Sequence, residues 1–192
     1  MLSAALILME SPAYAGFLVA ANLSGDQERP NPISTTATGF GSIFVNDTAM
    51  TLTVNLSTQG LAGNITDLDI HVVPAGLDPV NNNGDVRYAL ADLANLNPPI
   101  PNSASSFTLS NFVITGITAQ DIADLRDGRA YFNVHDTIYS DPVGEIRGNL
   151  RVVPEPSSLV LQGIGILGAL GYSRRWGFAA SEKEGASRTP PG

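Results

Sequence analysis

The chain has 192 residues, enough for one ordinary domain with a real core, and no cysteine, so disulfides cannot staple it. Its formal charge is −8, and residues 16–152 alone carry 14 acids against 6 arginines, with no lysine. An acidic balance of this kind argues against nucleic acid and anionic lipid as main partners, because both demand basic surface.

Residues 1–15 read MLSAALILMESPAYA. The apolar run Leu2 to Met9 and the Ala13-Tyr14-Ala15 cleavage pattern make this segment an expected signal peptide, and an earlier start would supply the missing positive n-region. Phe17 to Leu23 reads as the first strand of the mature domain, followed by a polar loop through Pro30 and Pro32. Thr35 to Val45 is a second strand weakened by Gly39 and Gly41, and Asn46-Asp47 turns the chain into Met50 to Leu56. In that strand Met50, Leu52, Val54 and Leu56 share one face, which predicts a half-buried antiparallel hairpin.

Leu61 to Ile65 is expected to pack locally, before a strand from Leu68 to Val73. Asp69 and His71 point the same way there, opposite Leu68, Ile70 and Val72. An amide-rich loop, Pro74 to Asp85, precedes a short strand from Val86 to Leu90; Asn95 to Ser103 is irregular, and Ser106 to Ile114 resumes strand composition. Thr118 and Asp121 have capping-box spacing, and Gly128 supplies a stop, so one short helix is expected between them. The stretch from Ala130 to Arg151 then reads as a hairpin-like unit. Tyr131, Asn133 and His135 share one face of its first strand, and Ser140 to Gly144 has turn chemistry. The returning strand places Ile146, Gly148, Leu150 and Val152 inward and Glu145, Arg147, Asn149 and Arg151 outward. Gly148 in the inward series marks a crowded spot or a bulge.

Beyond Val153-Pro154-Glu155-Pro156, residues 157–172 carry no charge and would form a helix of roughly 24 Å. That is somewhat below the usual bilayer span of about 30 Å. Arg174 and Arg175 favour retention of the following segment on the cytoplasmic side, and the tail 177–192 has no pattern and is expected to be disordered. Gly163, Gly165 and Gly168 match a dinucleotide fingerprint letter for letter, but no strand or βαβ unit surrounds them, so close helix packing explains them better.

The chemistry-bearing candidates are His71 and His135, the chain's two histidines. Asp69 accompanies the former and Asp136 the latter, a set able to ligate a divalent transition metal. The competing reading makes each histidine a hydrogen-bonded structural residue, and spacing alone favours it. No serine lies on a nucleophile-elbow sequence, so a hydrolytic triad has no support.

Several of these pieces together resemble a known domain. Residues 23–30 (LSGDQERP, with Glu28), Thr38-Gly39, Asp69-Ile70-His71, Phe132-Asn133-Val134-His135 and Gly144-Glu145-Ile146-Arg147-Gly148 are similar to the motifs of the CHRD domain. The resemblance implies an all-β, immunoglobulin-like antiparallel β-sandwich over residues 16–152, and it does not establish an enzyme activity. The middle motif of that family usually reads His-x-His, similar to the metal-binding pair of copper/zinc superoxide dismutase. Here Asp69 replaces the first histidine, which weakens dismutase chemistry and leaves a metal-binding, redox-active protein as the alternative function. Residues 153–176, with Pro154, Glu155, Pro156, Arg174 and Arg175, resemble a PEP-CTERM sorting signal. That resemblance implies export, recognition by an exosortase-type enzyme, transient membrane insertion through 157–172, and a place in the envelope or a biofilm matrix. The expectation is therefore a non-enzymatic exported protein with a binding or structural role, with exopolysaccharide or envelope proteins as partners.

Overall fold

The structure, a computed structural model, describes residues 16–92 and 104–154. The expected signal peptide 1–15, the connection ending at Ser103, Glu155, Pro156, the apolar run 157–172, Arg174, Arg175 and the tail 177–192 lie outside the described residues. A compact unit ends at Val153. Among the described residues, no helix is long and apolar enough to cross a membrane.

The strands are β1 (Phe17–Ser24), β2 (Thr38–Asn46), β3 (Thr51–Gln59), β4 (Ile65–Val72), β5 (Asp85–Asp92), β6 (Phe107–Thr115), β7 (Ala130–Asp136), β8 (Ile146–Asn149) and β9 (Arg151–Val152). One helix, α1 (Ala119–Arg126), lies between β6 and β7. Thr118 caps it: its hydroxyl accepts from the Asp121 N–H while the Asp121 carboxylate accepts from the Thr118 N–H, the reciprocal box expected from the spacing. Gly128 follows at φ 68°, where a side chain would be strained.

Pairing runs β5-β4-β7-β8-β1-β2-β3-β6, with β9 added on β1, and every pairing is antiparallel. The sheet curls into a nearly closed barrel or sandwich. A Cβ at Gly41 on β2 would strike the Phe132 ring on β7, and the Ile65 N–H donates to Ala104 O beside the β6 edge. Leu52, Val54 and Leu56 of β3 therefore share one core with Leu68 and Ile70 of β4 and Phe132 and Val134 of β7. Alternation supplies these residues, and each such side chain contributes about 1.5–3 kcal/mol by leaving water.

Several expectations change. Met50 is not the first residue of β3 but closes the hairpin turn at φ 54°, where Asn46 Oδ1 accepts the Ala49 N–H. β2 begins at Thr38 rather than Thr35, because the Thr35 hydroxyl is drawn away from the ladder to donate to Glu145 and to accept the Ala37 N–H. Val152, expected inward, is exposed: the ladder with β7 stops at Asn149, and the chain steps across to pair with β1 instead. Glu145 and Arg147, expected on an outward face, are both fully buried, Arg147 beneath the loop at 79–83 and Glu145 against Thr35 and Ala62.

Gly148 does sit at a crowded spot. A Cβ there would lie 2.7 Å from Leu23 Cγ and 3.0 Å from Ala21 Cβ, where β8 packs on β1. Gly148→Ala should therefore destabilise the domain by about 1–3 kcal/mol through overpacking, read as a lower urea midpoint with unchanged slope.

Candidate functional site

The two halves of the sheet differ in chemistry. No residue of β1, β2, β3 or β6 is charged, whereas β4, β5, β7 and β8 carry Asp67, Asp69, His71, Asp85, Arg87, Asp92, His135, Asp136 and Arg147. Strand register gathers several of the latter on one face. Asp69 is paired with Asn133 and Asn133 with Arg147, while His71 is paired with Tyr131 and Tyr131 with Asn149. That face is closed off by the loops at 25–37, 73–84 and 137–145, so its polar side chains form a second, hydrophilic core.

Arg147 is at its centre. Nη1 donates to Asn83 Oδ1 at 2.8 Å, Nη2 to Pro79 O at 2.8 Å and Asn82 O at 3.0 Å, and Nε to Asn149 Oδ1 at 3.1 Å. Its guanidinium also lies 3.5 Å from the centroid of the Tyr131 ring. Tyr131 is flanked on its other neighbour strand by His71, whose ring stacks on it at 4.9 Å and 12°. Asn149 in turn donates to Gln27 Oε1, and Asn83 donates to Arg29 O, which ties the 25–37 loop to the same network.

Asp69, His71 and His135 converge beside this network. One ligand atom from each lies within 4.8 Å of the others. Asp69 Oδ2 is 3.9 Å from His71 Nε2 and 3.6 Å from His135 Nε2, and the three residues are 3%, 6% and 1% exposed. His71 Nδ1 donates to Gly84 O at 3.0 Å, leaving Nε2 as the nitrogen turned toward Asp69. Burial lowers the pKa of both histidines; for His135 the neighbouring His71 adds to the effect, while the Val143 carbonyl opposes it without normal hydrogen-bond geometry at either ring nitrogen.

The fourth expected candidate does not join them. Asp136 is on the opposite face of β7 from His135, and its carboxylate accepts from the backbone N–H groups of Gly63 at 2.5 Å, Ile138 at 2.9 Å and Tyr139 at 2.5 Å. Glu145 lies with Asp136, accepting from the Thr35 hydroxyl at 2.5 Å and the Ala62 N–H at 3.0 Å, with its pKa raised by burial and by that neighbouring carboxyl. This acidic pair pins the β3–β4 connection to β7. Asp78 accepts from Val80 N–H and Asn81 Nδ2 within its own loop.

Glu28 and Gly144 meet at the rim of the hydrophilic core. A Cβ at Gly144 would run into Asn133 and approach Glu28 Oε1 to 2.8 Å, so only glycine fits. Glu28 Oε1 has no hydrogen-bond partner, and burial, partly offset by the Arg147 charge, raises its pKa from 4.5 to about 7. The residues that sequence reasoning missed are the covering ones: Pro79, Asn82, Asn83 and Gly84 serve Arg147 and His71 mainly through backbone carbonyls, which leave no mark on residue type. The asparagine run was visible, but not what it covers.

Opposite this core, the outward face of β1, β2, β3 and β6 places Asn22, Phe40, Ser57 and Thr108 in one row across four strands. A groove of about 540 Å³ runs over it, lined by these four with Thr38 and Gln59 among its neighbours. Phe40 is 51% exposed in the middle of the row, and Phe44 stands four residues along the same strand face.

A family model of the CHRD domain matches residues 19–150, and a model of the PEP-CTERM protein-sorting motif matches residues 152–175. No curated protein matches the chain.

Because Glu28 holds its proton more tightly folded (about 7) than at its ordinary value of 4.5, it costs stability as pH rises from about 4.5 through 7. Glu28→Gln keeps the protonated shape and removes that slope. The variant should gain on the wild type by up to about 3 kcal/mol near pH 8, with the gap closing below about pH 4.5. Denaturant titrations of both proteins across that range check it, and parallel curves at every pH would contradict it.

Proposed function

The chain belongs to the CHRD-domain family and carries a PEP-CTERM protein-sorting motif, the architecture of an exported, non-enzymatic envelope or matrix protein handled by an exosortase-type enzyme; from that premise we propose that it is a matrix-binding module that holds neutral exopolysaccharide on the outward face of β1, β2, β3 and β6. The observation that carries this reading is the absence of any charged residue from those four strands in a chain of net charge −8. A face that keeps its charges away suits a polymer without charge.

The chemistry of the row matches a sugar. A pyranose presents a C–H face that packs on an aromatic ring, and its hydroxyls both donate and accept, as do Asn22, Ser57, Thr108, Thr38 and Gln59. Phe40 and Phe44 are separated by about 13 Å along the strand, which suits contact with more than one ring of an extended chain. The polymer is met by a preformed, rigid sheet, so little ordering is needed on the protein side.

Two further parts of the reading rest on the family and sorting motif. The domain is proposed to be immunoglobulin-like, with β5-β4-β7-β8 and β1-β2-β3-β6 as its facing layers. Residues 157–172 are proposed to anchor it transiently in the inner membrane before processing, with envelope proteins as additional neighbours.

Affinity electrophoresis of the full chain through gels containing dextran, a β-glucan, a galactomannan or the acidic polymer alginate tests the binding reading. Retardation by at least one neutral polymer is expected, reduced about tenfold, or 1.4 kcal/mol, by Phe40→Ala at unchanged circular dichroism. Migration unaffected by every neutral polymer, or equal retardation of the Phe40→Ala protein, would overturn it.

A further inference from the structure

The cluster of Asp69, His71 and His135 is not used by the glycan-binding face, and it presents an electrostatic problem. His71 Nε2 and both ring nitrogens of His135 are buried without a hydrogen-bond partner, and the Nε2 atoms approach the same Asp69 oxygen at 3.9 and 3.6 Å. The Gly84 carbonyl takes the proton-bearing Nδ1 of His71. Its Nε2 lone pair is thus directed into a pocket already occupied by a carboxylate oxygen. The His71 Nε2 lone pair and the Asp69 carboxylate oxygen are two acceptors facing each other, an arrangement that favours a cation between them.

We propose that Asp69, His71 and His135 form a metal centre that takes one divalent transition ion, of the zinc or copper(II) class, through Asp69 Oδ2, His71 Nε2 and His135 Nε2. Three ligand atoms around a tetrahedral ion at ordinary bond lengths stand about 3.3 Å apart. The separations of 3.9 and 3.6 Å from Asp69, with all three atoms within 4.8 Å of one another, therefore close onto an ion by contraction, mainly of the two imidazoles toward each other. Two imidazoles and one carboxylate suit zinc or copper; calcium and magnesium prefer oxygen-only sets. The His71–Gly84 hydrogen bond is the outer-shell contact that a ligating imidazole requires, and Tyr131 stacked on His71 fixes the ring plane. The inference is independent of the polysaccharide reading, since the two sites use different strands.

The test uses the full chain, stripped with a chelator and titrated with Zn2+ and, separately, Cu2+. Expected results are one ion per chain, a raised melting midpoint, and a copper electron paramagnetic resonance spectrum with splitting from two imidazole nitrogens. His135→Gln and Asp69→Asn should each weaken zinc at least about tenfold and abolish the thermal shift, while polysaccharide retardation stays as in the wild type. The spectrum is read on wild-type protein, so it decides the matter even where a variant fails to fold. Zinc binding no tighter than to the buffer, a copper spectrum lacking two-nitrogen splitting, or wild-type affinity in both folded variants would overturn the proposal.

Discussion

Burying the Arg147 guanidinium is the constraint from which the hydrophilic half of the domain follows. A fully buried guanidinium must have its N–H groups matched, or the structure loses several kcal/mol. Among the described contacts its partners are carbonyl and amide oxygens, and three of them come from the loop at residues 79–83. The arginine therefore dictates the path of that loop. The next residue, Gly84, then delivers its carbonyl to His71 and its N–H to the Tyr131 hydroxyl. A side chain on β8 thus sets the tautomer of a histidine two strands away, through a loop rather than through the sheet.

The same constraint explains why the domain has two kinds of interior. On one side of β4 and β7 are Leu68, Ile70, Phe132 and Val134, which need nothing but close packing. On the other are Asp69, His71, Asn133 and His135, whose burial is tolerable only if each polar atom is answered or a cation supplies what the protein does not. The strands that carry no charge lie away from this problem, with aliphatic side chains inward and an uncharged outward face of hydroxyl and amide groups interrupted by Leu18, Phe40 and Val113. The sheet is therefore asymmetric in chemistry although continuous in hydrogen bonding.

The asymmetry also governs how much could be read from the sequence. β3 and the hairpin before it were legible because alternation of Leu52, Val54 and Leu56 against Thr53 and Asn55 has one physical meaning. The helix was legible because Thr118 and Asp121 satisfy each other locally. The facing of Asp69 with His71, and of Tyr131 with Asn133 and His135, followed from the period of two. The burial of Arg147 and Glu145 did not, because a charged residue on the far side of an apolar row normally means solvent, and the cover comes from loops remote in sequence. Asp136 misleads for a related reason: adjacency to His135 suggests a pair, but neighbours on a strand point to opposite faces. Loop closure across long separations acts through backbone carbonyls, and composition does not encode it.

An exported domain without cysteines must hold its long loops by other means. His71 and His135 are roughly sixty residues apart in sequence, so the site that they would form with Asp69 exists only once the chain has folded. Because such an ion binds the folded state preferentially, stability rises with free ion concentration by mass action. All three proposed ligands are at most 6% exposed, so an ion held there would be shielded from any polymer on the outward face. That geometry would separate the two proposed roles: the charge-free strands would meet the partner, and the buried cluster would secure the scaffold that holds them flat. A centre placed this way assists binding only by keeping the sheet folded, so loss of metal should leave the affinity of the surviving folded molecules unchanged while reducing their number.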